Sequence, residues 1–368
     1  MRVLVVNAGS SSLKVRLLGD GDVLEESADL PAGRYGFDQD ELSRVLRAWP
    51  TPDAIGHRVV HGGTRFSGPV RVEGPVRQQL KDLTELAPLH QPKSLAALDA
   101  VTAALPGIPS VACFDTAFHA TIPPAASTYA IPLEWRQRYS IRRFGFHGLS
   151  HRYAAGRAAE LCDRPIGELR IVTCHLGAGA SLCAVENSRS IDTTMGFTPL
   201  EGLVMATRSG SVDPGLVLWL EEHEHLSPRD VATALEQQSG LTALAGTGDM
   251  REIETRAGAG DRRARLALDV YVHALVAGIA SMTAAMAGLD VLVFTGGVGE
   301  HSEVVRRLAT ERLAFLGVGI DAQLNADGHV DRDLSAPGAP VCTVVVEARE
   351  DLQIAAETRL VSGPSSVL

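Results

Sequence analysis

Short apolar runs separated by polar turns recur along the chain, and the opening residues already show the pattern. The apolar run from Val3 to Val6 predicts a buried strand, and the alternation over 14–17 predicts a half-exposed one. The segment from Asn7 to Ser12 is therefore a turn, made of glycine, alanine, hydroxyl side chains and one carboxamide. Such a turn presents successive backbone N–H groups, which together can bind an anion such as a phosphate.

The rest of the chain alternates between strand and helix patterns, which predicts the α/β fold class. Strands are predicted within 52–63, where the strand leads to a glycine turn, within 108–119, where it ends in Asp115, and over 290–295 and 341–347. Helices are predicted over 74–90, 228–237, 263–287 and 350–360. A glycine loop from Thr295 to Gly299 precedes a further helix. The apolar stretch from Leu266 to Leu289 has the length of a membrane span. It contains Asp269 and His273, so a buried central helix is expected instead.

The opening hairpin has a counterpart in the middle of the chain. Over 169–191 an apolar strand again ends in a polar residue, His175, passes through small residues at 177–181, and resumes as a strand. The two hairpins lie about 168 residues apart, which indicates an internal duplication. A chance likeness between two glycine-containing hairpins is the alternative.

Length and composition narrow the class of function. The chain has 368 residues, so at roughly 150 residues per domain we expect two domains. The formal net charge of -10 gives no basic surface for nucleic acid or anionic lipid, so neither is expected as a partner. Five cysteines without C-x-x-C spacing, and a first segment that lacks the signal-peptide pattern, favour the cytoplasm.

Isolated charged residues beside glycine-rich turns are the main candidates for chemistry. Arg58 lies in GHRVVHGG and Arg208 in ATRSGSVDPG, where a planar, permanently charged donor could hold an anionic group. Asp115 at a strand's end and His147 in FGFHGLSH are further candidates. Surface exposure of the arginines, and packing or capping roles for the other two, are the alternatives. A Walker-type phosphate loop, an S-x-x-K acyl-transfer set and a zinc-binding histidine pair each lack required residues.

Taken together, eight motifs make a specific pattern: NAGSSSLK, GHRVVHGG, LAPLH, FDTAFH, FGFHGLSH, HLGAGAS, GFTPLEGLVMATRSG and FTGGVGE. With these motifs in this order, the chain resembles the acetate kinase family from end to end. That family belongs to the superfamily of acetate and sugar kinases, heat-shock ATPases and actin. The resemblance implies two ribonuclease-H-like domains with an interdomain cleft. It places residues 1–116 plus 352–368 in the N-terminal domain and residues 117–351 in the C-terminal, nucleotide-binding domain.

The same resemblance implies a reversible, Mg²⁺-dependent, in-line transfer of the γ-phosphoryl group of ATP to acetate, giving acetyl phosphate and ADP. Mn²⁺ is an alternative metal, and a cytoplasmic homodimer is expected. Propionate or butyrate kinase activity is the alternative within the family, because one methylene in an apolar pocket contributes only about 1 to 3 kcal/mol to discrimination. A nucleotide-driven binding protein of the actin-like fold is the alternative from another class. It would need no cationic clamp for a carboxylate.

Each position that matches a family motif acquires an implied role. Arg58 and Arg208 would hold the acetate carboxylate and the transferring phosphoryl group, and Asp115 would orient Arg58 or the nucleophile. His147 would donate to a phosphoryl oxygen. The implied acetate pocket comprises Arg58, Val60, Leu89, Phe146 and Pro199. The implied nucleotide contacts are Ser10, Ser12, Lys14, His175, Leu176, Gly177, Ala178, Gly179, Asp249, Met250, Arg251, Gly297, Val298, Gly299 and His301. The implied metal ligands are Asn7 and Glu350.

The chain also departs from the family pattern. Ala178 stands where the family has an asparagine, Ser211 where it has an aspartate, and His301 where an asparagine follows the G-x-G-E motif. The residues 349–351 replace the usual Asn-Glu-Glu, and the segment 19–50 is short for the family. None of these changes removes a residue assigned to catalysis. The change at Ala178 affects the expected geometry of the phosphoryl donor, and the changes beside Glu350 affect the expected metal ligation.

Overall fold

The chain folds into two compact units. A computed structural model describes residues 1–9, 12–33, 36–87, 91–329 and 331–363. Unit 1 comprises Met1–Ala120, Phe146–Tyr153 and the chain from Arg349 onward, and unit 2 comprises Thr121–Gly145 and Ala154–Ala348. Each unit contains one mixed β-sheet and its own helices.

The α-helices confirm most of the predicted helical segments. In chain order they are α1 (Gln39–Ala48), α2 (Gly74–Asp82), α3 (Gln91–Ala104), α4 (Pro124–Ser127), α5 (Leu133–Tyr139), α6 (Gly148–Leu161), α7 (Pro214–His223), α8 (Pro228–Gln237), α9 (Gly240–Ala245), α10 (Met250–Gly258), α11 (Arg262–Ala285), α12 (Gly296–His301), α13 (Glu303–Arg312), α14 (Ala322–Ala326) and α15 (Glu350–Ser362). The helix predicted over 74–90 ends early, at Asp82, and a 3₁₀ turn over Leu83–Leu86 follows it. Pro88 disfavours helical backbone in the residue before it, which limits how far this helix can extend.

Unit 1 is built on a seven-stranded sheet. Its strands are β1 (Val3–Ala8), β2 (Ser12–Leu18), β3 (Leu24–Gly33), β4 (Gly36–Phe37), β5 (Ala54–Val59), β6 (Val70–Arg71) and β7 (Ser110–Phe114). They lie in the order β4-β3-β2-β1-β5-β7-β6. β1 pairs antiparallel with β2 and parallel with β5, and β5 pairs parallel with β7. The predicted opening hairpin is confirmed.

Unit 2 is built on a six-stranded sheet. Its strands are β8 (Arg170–Leu176), β9 (Ala180–Glu186), β10 (Arg189–Thr193), β11 (Val291–Thr295), β12 (Arg332–Asp333) and β13 (Cys342–Val345). They lie in the order β10-β9-β8-β11-β13-β12. The first three form an antiparallel meander, and β11 pairs parallel with both β8 and β13.

The two sheets share one topology. In each sheet, three strands form an antiparallel meander, and two parallel strands lie beside the first strand of that meander. A short strand at the edge pairs antiparallel with the last parallel strand and directly precedes it in sequence. The order β3-β2-β1-β5-β7-β6 in unit 1 thus corresponds to β10-β9-β8-β11-β13-β12 in unit 2. The internal duplication predicted from the two hairpins is confirmed at the level of the fold.

The continuous apolar run of β1 contacts two layers of unit 1, one on each face of the sheet. Leu4 and Val6 pack on one face with Leu42 of α1 and Val101 of α3. Val3 and Val5 pack on the other face with residues of α15, among others. A strand whose two faces are both buried must be apolar throughout, which is why the opening run carries no alternation.

Helix α11 is the longest helix of the described residues and lies in unit 2. By length and composition it is the one described helix that could cross a membrane. It packs against α9, α10, α13 and β9, and its buried residues include Leu268, Leu275 and Ile279. Asp261 caps its first turn by accepting hydrogen bonds from the backbone N–H groups of Arg263 and Ala264.

Candidate functional site

Unit 1 brings four of the predicted site residues together at one edge of its sheet. Arg58 lies on β5, Asp115 directly follows β7, Asn7 is near the end of β1, and Glu350 opens α15. Arg58 Nε donates to Asp115 Oδ1 at 3.0 Å, and Nη2 donates to Oδ2 at 2.6 Å. Arg58 Nη1 donates to Asn7 Oδ1 at 3.2 Å, and Asn7 Nδ2 donates to Glu350 Oε2 at 2.9 Å. The carboxyl ends of parallel strands meet at one edge of a sheet, so these distant residues converge.

The charges in this cluster keep Arg58 in its cationic form. Burial lowers the pKa of the Arg58 guanidinium, but the negative charges of Asp115 and Glu350 outweigh that effect and raise the pKa overall. The Asp115 side chain is 2% exposed and the Arg58 side chain 15%. The two-pronged ion pair also fixes the plane of the guanidinium, so it presents its N–H groups in one orientation.

His147 lies at the start of α6 with an unusual backbone. Its φ is +56°, in the left-handed region that costs a residue with a side chain about 1 to 3 kcal/mol. The next residue, Gly148, donates its N–H to the carbonyl of Asp115 at 2.8 Å. A Cβ on Gly148 would overlap that carbonyl, so only glycine fits there. This contact ties the histidine segment to the end of β7.

The apolar positions Val60 and Phe146 are buried in unit 1. Val60 is 7% exposed and Phe146 is 1% exposed. The ring of His61 meets the Phe146 ring edge-on, with 5.5 Å between centroids, and His119 Nε2 donates to the Phe146 carbonyl at 2.9 Å. Burial lowers the pKa of both histidines to about 4, although for His119 the hydrogen bond to Phe146 opposes the fall. Both rings are therefore neutral at pH 7.

Several predicted loop residues of unit 1 lie beside this cluster. Asn7 and Lys14 are direct partners in the β1–β2 register, so their side chains leave the same face of the hairpin. Lys14 is exposed, and Ser12 begins β2 with its carbonyl accepting from the N–H of Gly9 at 2.9 Å. The predicted residues Ser10 and Leu89 lie outside the described residues.

In unit 2, Arg208 is a half-buried cation that the protein leaves without a carboxylate partner in the described chain. Its Nη1 donates to the carbonyl of Pro199 at 3.3 Å and approaches the sulfur of Met205 at 3.5 Å. Burial lowers the pKa of this guanidinium, and the more distant charge of Glu236 only partly opposes the effect. Proteins rarely desolvate an arginine without an anion, so this group is suited to receive one from a ligand.

The two predicted glycine turns of unit 2 lie next to each other. His175 on β8 pairs with Thr295 on β11, which places the turn after β8 beside the start of α12. Gly296 has a φ of +77°, and a Cβ there would come within 3.0 Å of the Leu176 backbone. The predicted loop over 295–299 is wrong in one respect, because Gly296 to His301 form a helix from the first glycine onward. A helix N-terminus with no Cβ at 296 and 297 can still approach a phosphate closely.

The remaining residues of unit 2 that were predicted to contact the nucleotide are described by their local structure. Asp249 caps α10 by accepting from the N–H of Arg251 at 3.0 Å, and the two side chains form an exposed ion pair at 2.7 Å. Met250 is buried, while the Ala178 side chain is exposed at the turn after β8. His301 ends α12, and its side chain is 66% exposed.

The departure at Ser211 also has a structural role. Gly202 donates its N–H to Ser211 Oγ at 3.0 Å, and the N–H of Ser211 donates to the carbonyl of Gly202 at 3.0 Å. These two hydrogen bonds join the ends of the loop 202–211, which contains Arg208. An aspartate could accept the first bond equally well, so the substitution preserves this closure.

Some residues that shape the site carried no signal in the sequence. The carboxamide of Gln91, fully buried, accepts from the N–H of His61 at 3.2 Å and donates to the His61 carbonyl at 3.3 Å. Arg306, 2% exposed, donates to the carbonyls of Gly299 and Glu300, each at 2.8 Å, and so fixes the end of α12. Each contact joins residues far apart in sequence or hidden within a helix pattern, and no short motif marks it.

The donor set at Asn7 and Glu350 fits a hard divalent cation. Both side chains offer oxygen atoms, and they are neighbours, because Asn7 Nδ2 lies 2.9 Å from Glu350 Oε2. Among the described residues no group of three or more histidine, cysteine or acidic side chains forms a ready metal cluster. Mg²⁺ commonly keeps several waters and takes one or two protein oxygens, so a two-residue set is sufficient for it.

The chain is similar to known proteins over nearly its whole length. The model of the Acetokinase family matches residues 40–356. An acetate kinase of Deinococcus radiodurans is 44% identical, covering 99% of this chain and 98% of that protein. Two solved structures, an acetate kinase of Porphyromonas gingivalis and a propionate kinase of Francisella tularensis, are each 34% identical, with TM-scores of 0.88 and 0.90, and cover 98% of this chain and 99% of theirs. The predicted resemblance and fold class are confirmed, and the chain belongs to the acetokinase family.

Proposed function

We propose that this protein transfers the γ-phosphoryl group of ATP to acetate, reversibly, giving acetyl phosphate and ADP. The observation that carries the proposal is the half-buried guanidinium of Arg208, which pairs with no carboxylate among the described residues, in a chain that shares 44% identity with an acetate kinase. A second guanidinium, Arg58, is oriented by Asp115. Two cations are what an anionic nucleophile and an anionic phosphoryl donor require, because their charges otherwise repel each other.

The proposed mechanism is a direct displacement at the γ-phosphorus. An acetate oxygen forms a bond to that phosphorus while the bond to the β,γ-bridging oxygen breaks, and ADP leaves with the electron pair. Arg58 and Arg208 stabilise the charge on the equatorial oxygens, and His147 donates a hydrogen bond to one of them. The turn at 177–179 and the N-terminus of α12 at Gly296 and Gly297 provide backbone N–H groups for the nucleotide phosphates.

Asn7 and Glu350 are the residues that would hold Mg²⁺, directly or through water. When bound, the ion would neutralise part of the phosphate charge and help to align the donor. Asn7 also accepts a hydrogen bond from Arg58, so this residue would connect the metal position to the cationic clamp.

For the Glu350→Gln variant we expect a higher Mg²⁺ concentration for half-maximal rate, with the kcat at saturating metal reduced less than the metal affinity. The reason is that the variant keeps the hydrogen-bonding shape but loses the negative charge that attracts the cation. The measurement is a Mg²⁺ titration of the rate, with the melting temperature followed alongside. Asp351→Asn, whose carboxylate pairs with Arg349, is the matched control on the same helix turn. An unchanged Mg²⁺ dependence together with a lower melting temperature would assign Glu350 a structural role only.

Propionate is the second candidate substrate, because a propionate kinase is among the structures similar to this chain. The test is a kinetic panel of acetate, propionate and butyrate with ATP and Mg²⁺, with trapping of the acyl phosphate as its hydroxamate. Preference for acetate is the expected result. A chain that turns over ATP without any carboxylate dependence would instead fit the nucleotide-driven binding protein.

Val60→Ala should raise kcat/KM for propionate relative to acetate, within the roughly 10- to 200-fold range that one methylene allows. Val60 follows the strand that carries Arg58 and is 7% exposed, so a smaller side chain leaves room for one more carbon. Val101→Ala, a truncation in the core of the same unit, is the control for stability. Both variants should melt at a lower temperature, but only Val60→Ala should change the substrate ratio. An unaltered ratio would remove Val60 from the pocket.

We also expect a cytoplasmic homodimer. Helix α7 has no buried residue and exposes Leu216, Leu218 and Trp219 by 46% to 57%. Contiguous exposed apolar side chains of this size commonly mark an interface between proteins. Light scattering should give twice the monomer mass, and Leu218→Lys should lower it.

All five cysteines are free thiols, which supports a reducing compartment.

A further inference from the structure

Three polar side chains of unit 2 form a closed network that none of the sequence motifs predicted. Tyr129 donates its hydroxyl proton to Glu201 Oε2 in a short hydrogen bond. Arg143 Nη2 donates to the other carboxylate oxygen, Glu201 Oε1, at 2.7 Å, and the guanidinium lies 5.6 Å from the centre of the Tyr129 ring. Both oxygens of one carboxylate are thus engaged, by residues 58 and 72 positions away in sequence.

The network holds the backbone that follows β10. Arg143 Nη1 donates to three successive carbonyls, those of Thr193, Thr194 and Met195, at 3.1 to 3.3 Å. The Tyr129 oxygen accepts from the N–H of Phe197 at 2.9 Å. The network touches Gly196 so closely that a Cβ there would overlap both Glu201 and Tyr129. Few alternative backbone conformations are open to a segment fixed at so many atoms.

The held backbone segment, residues 193–197, continues to Pro199, and the carbonyl of Pro199 contacts Arg208. Three residues after Gly196, the carbonyl of Pro199 accepts from Arg208 Nη1 at 3.3 Å, and the sulfur of Met205 is the other neighbour. Because no carboxylate of the described chain pairs with Arg208, its guanidinium has no strong anchor of its own. Its position therefore depends on how firmly the segment that carries Pro199 is held.

We propose that Glu201 is a positioning residue for Arg208 and acts through the Tyr129–Glu201–Arg143 network. This inference rests on the proposed function, in which Arg208 stabilises the transferring phosphoryl group. Burial raises the pKa of the Tyr129 hydroxyl, and so does its bond to Glu201, so the phenol stays protonated and remains a donor at neutral pH. The network then places Arg208 before substrate binds, and no part of it needs to touch the substrate.

The first test is Tyr129→Phe, which removes one oxygen atom and with it two hydrogen bonds. We expect kcat to fall about 10- to 100-fold, since a displacement of about 1 Å in a catalytic group can cost that much. Tyr271→Phe is the matched control, because the Tyr271 hydroxyl is buried without a partner in the described chain.

Glu201→Gln repeats the test with a milder change. Its control is Asp290→Asn, which weakens the similar ion pair with Arg170 in the same unit. Both controls should keep kcat within twofold of the parent protein.

The decisive test combines Tyr129→Phe with Arg208→Ala. If the network acts through Arg208, adding Tyr129→Phe to the Arg208→Ala protein should change the slow residual rate by less than twofold. A merely structural role would lower that rate by the same factor as in the parent protein, and this result would overturn the inference. So would a kcat of Tyr129→Phe, and of Glu201→Gln, equal to the parent's. A parent protein without carboxylate-dependent phosphoryl transfer would overturn the proposed function itself.

Discussion

Arg208→Met is expected to lower kcat by about 10²- to 10³-fold without lowering the melting temperature. A donor aimed at the charge of the transition state typically contributes about 3 to 4 kcal/mol in a closed site. The same group costs folding free energy, because burial lowers the pKa of its guanidinium and no carboxylate of the described residues pairs with it. A methionine of similar length removes the charge and fills the space. Loss of activity with equal or greater stability is typical of a residue kept for function.

Arg170→Met provides the matched control for this prediction. Arg170 forms an ion pair with Asp290 at 2.9 Å and caps the carbonyl of Ala287, so it has the partners that Arg208 lacks. Its loss should lower the melting temperature and leave kcat near the parent value. Binding of ATP or acetyl phosphate should raise the melting temperature of the parent protein more than that of Arg208→Met. A variant with near-normal kcat, or with a fall in stability that matches the control, would contradict the assignment.

The hydrophobic pattern was sufficient to predict the framework around the site. Both hairpins, the buried strands and the long helix α11 follow from apolar periodicity, which depends only on neighbouring residues. The convergence of Arg58 and Asp115 follows in turn from the rule that parallel strands end at one edge. Before the structure, that pairing was implied only by the resemblance to the acetate kinase family. Their actual roles in catalysis stay predictions.

Other features of the site depend on contacts that local patterns do not encode. The left-handed backbone of His147 stands next to the close approach of Gly148 to Asp115, a contact between segments more than thirty residues apart in sequence. The glycines at 296–299 read as a loop because glycine usually breaks helices, yet packing of Gly296 on Leu176 allows a helix to start there. Glu201 lies between Leu200 and Gly202 in a mostly apolar stretch of the sequence, and its partners become apparent only in the folded chain.

Removal of Asp115 should be among the most destabilising single changes in unit 1. Asp115→Asn leaves the Arg58 guanidinium buried beside a neutral amide, with only Asn7 and the nearby charge of Glu350 to compensate it. Breaking a buried ion pair from one side typically costs about 3 to 5 kcal/mol. Urea unfolding should show this loss, and catalysis should also weaken because the orientation of Arg58 is no longer fixed. Arg77→Met, which breaks the partly exposed pair with Asp99, should cost far less and serves as the control.

The reverse variant, Arg58→Met, should make the stability of unit 1 depend on pH in a distinctive direction. Burial raises the pKa of the Asp115 carboxyl, and in the parent protein the charge of Arg58 opposes that rise. Without the arginine the folded-state pKa lies well above the unfolded value of about 3.9, so the folded protein binds the proton more tightly. The stability of Arg58→Met should be retained below about pH 4 and lost as the pH rises through the folded-state pKa.

The test is completed by the double variant Arg58→Met/Asp115→Asn. Its stability is compared with that of the parent protein and of both single variants. The double variant buries no uncompensated charge, so its free energy of unfolding at pH 7 should exceed that of either single variant. The difference between Arg58→Met and the double variant should shrink as the pH is lowered, because protonated Asp115 resembles the neutral asparagine. Catalysis should stay low in all three, since each loses the oriented guanidinium. Two results would show that Asp115 does not hold Arg58 through a buried ion pair. One is that the destabilisations of the two single variants simply add. The other is that the stability of Arg58→Met, measured relative to the double variant, is no greater at pH 4 than at pH 7. The cationic clamp would then have to be oriented through Asn7 and Glu350 instead.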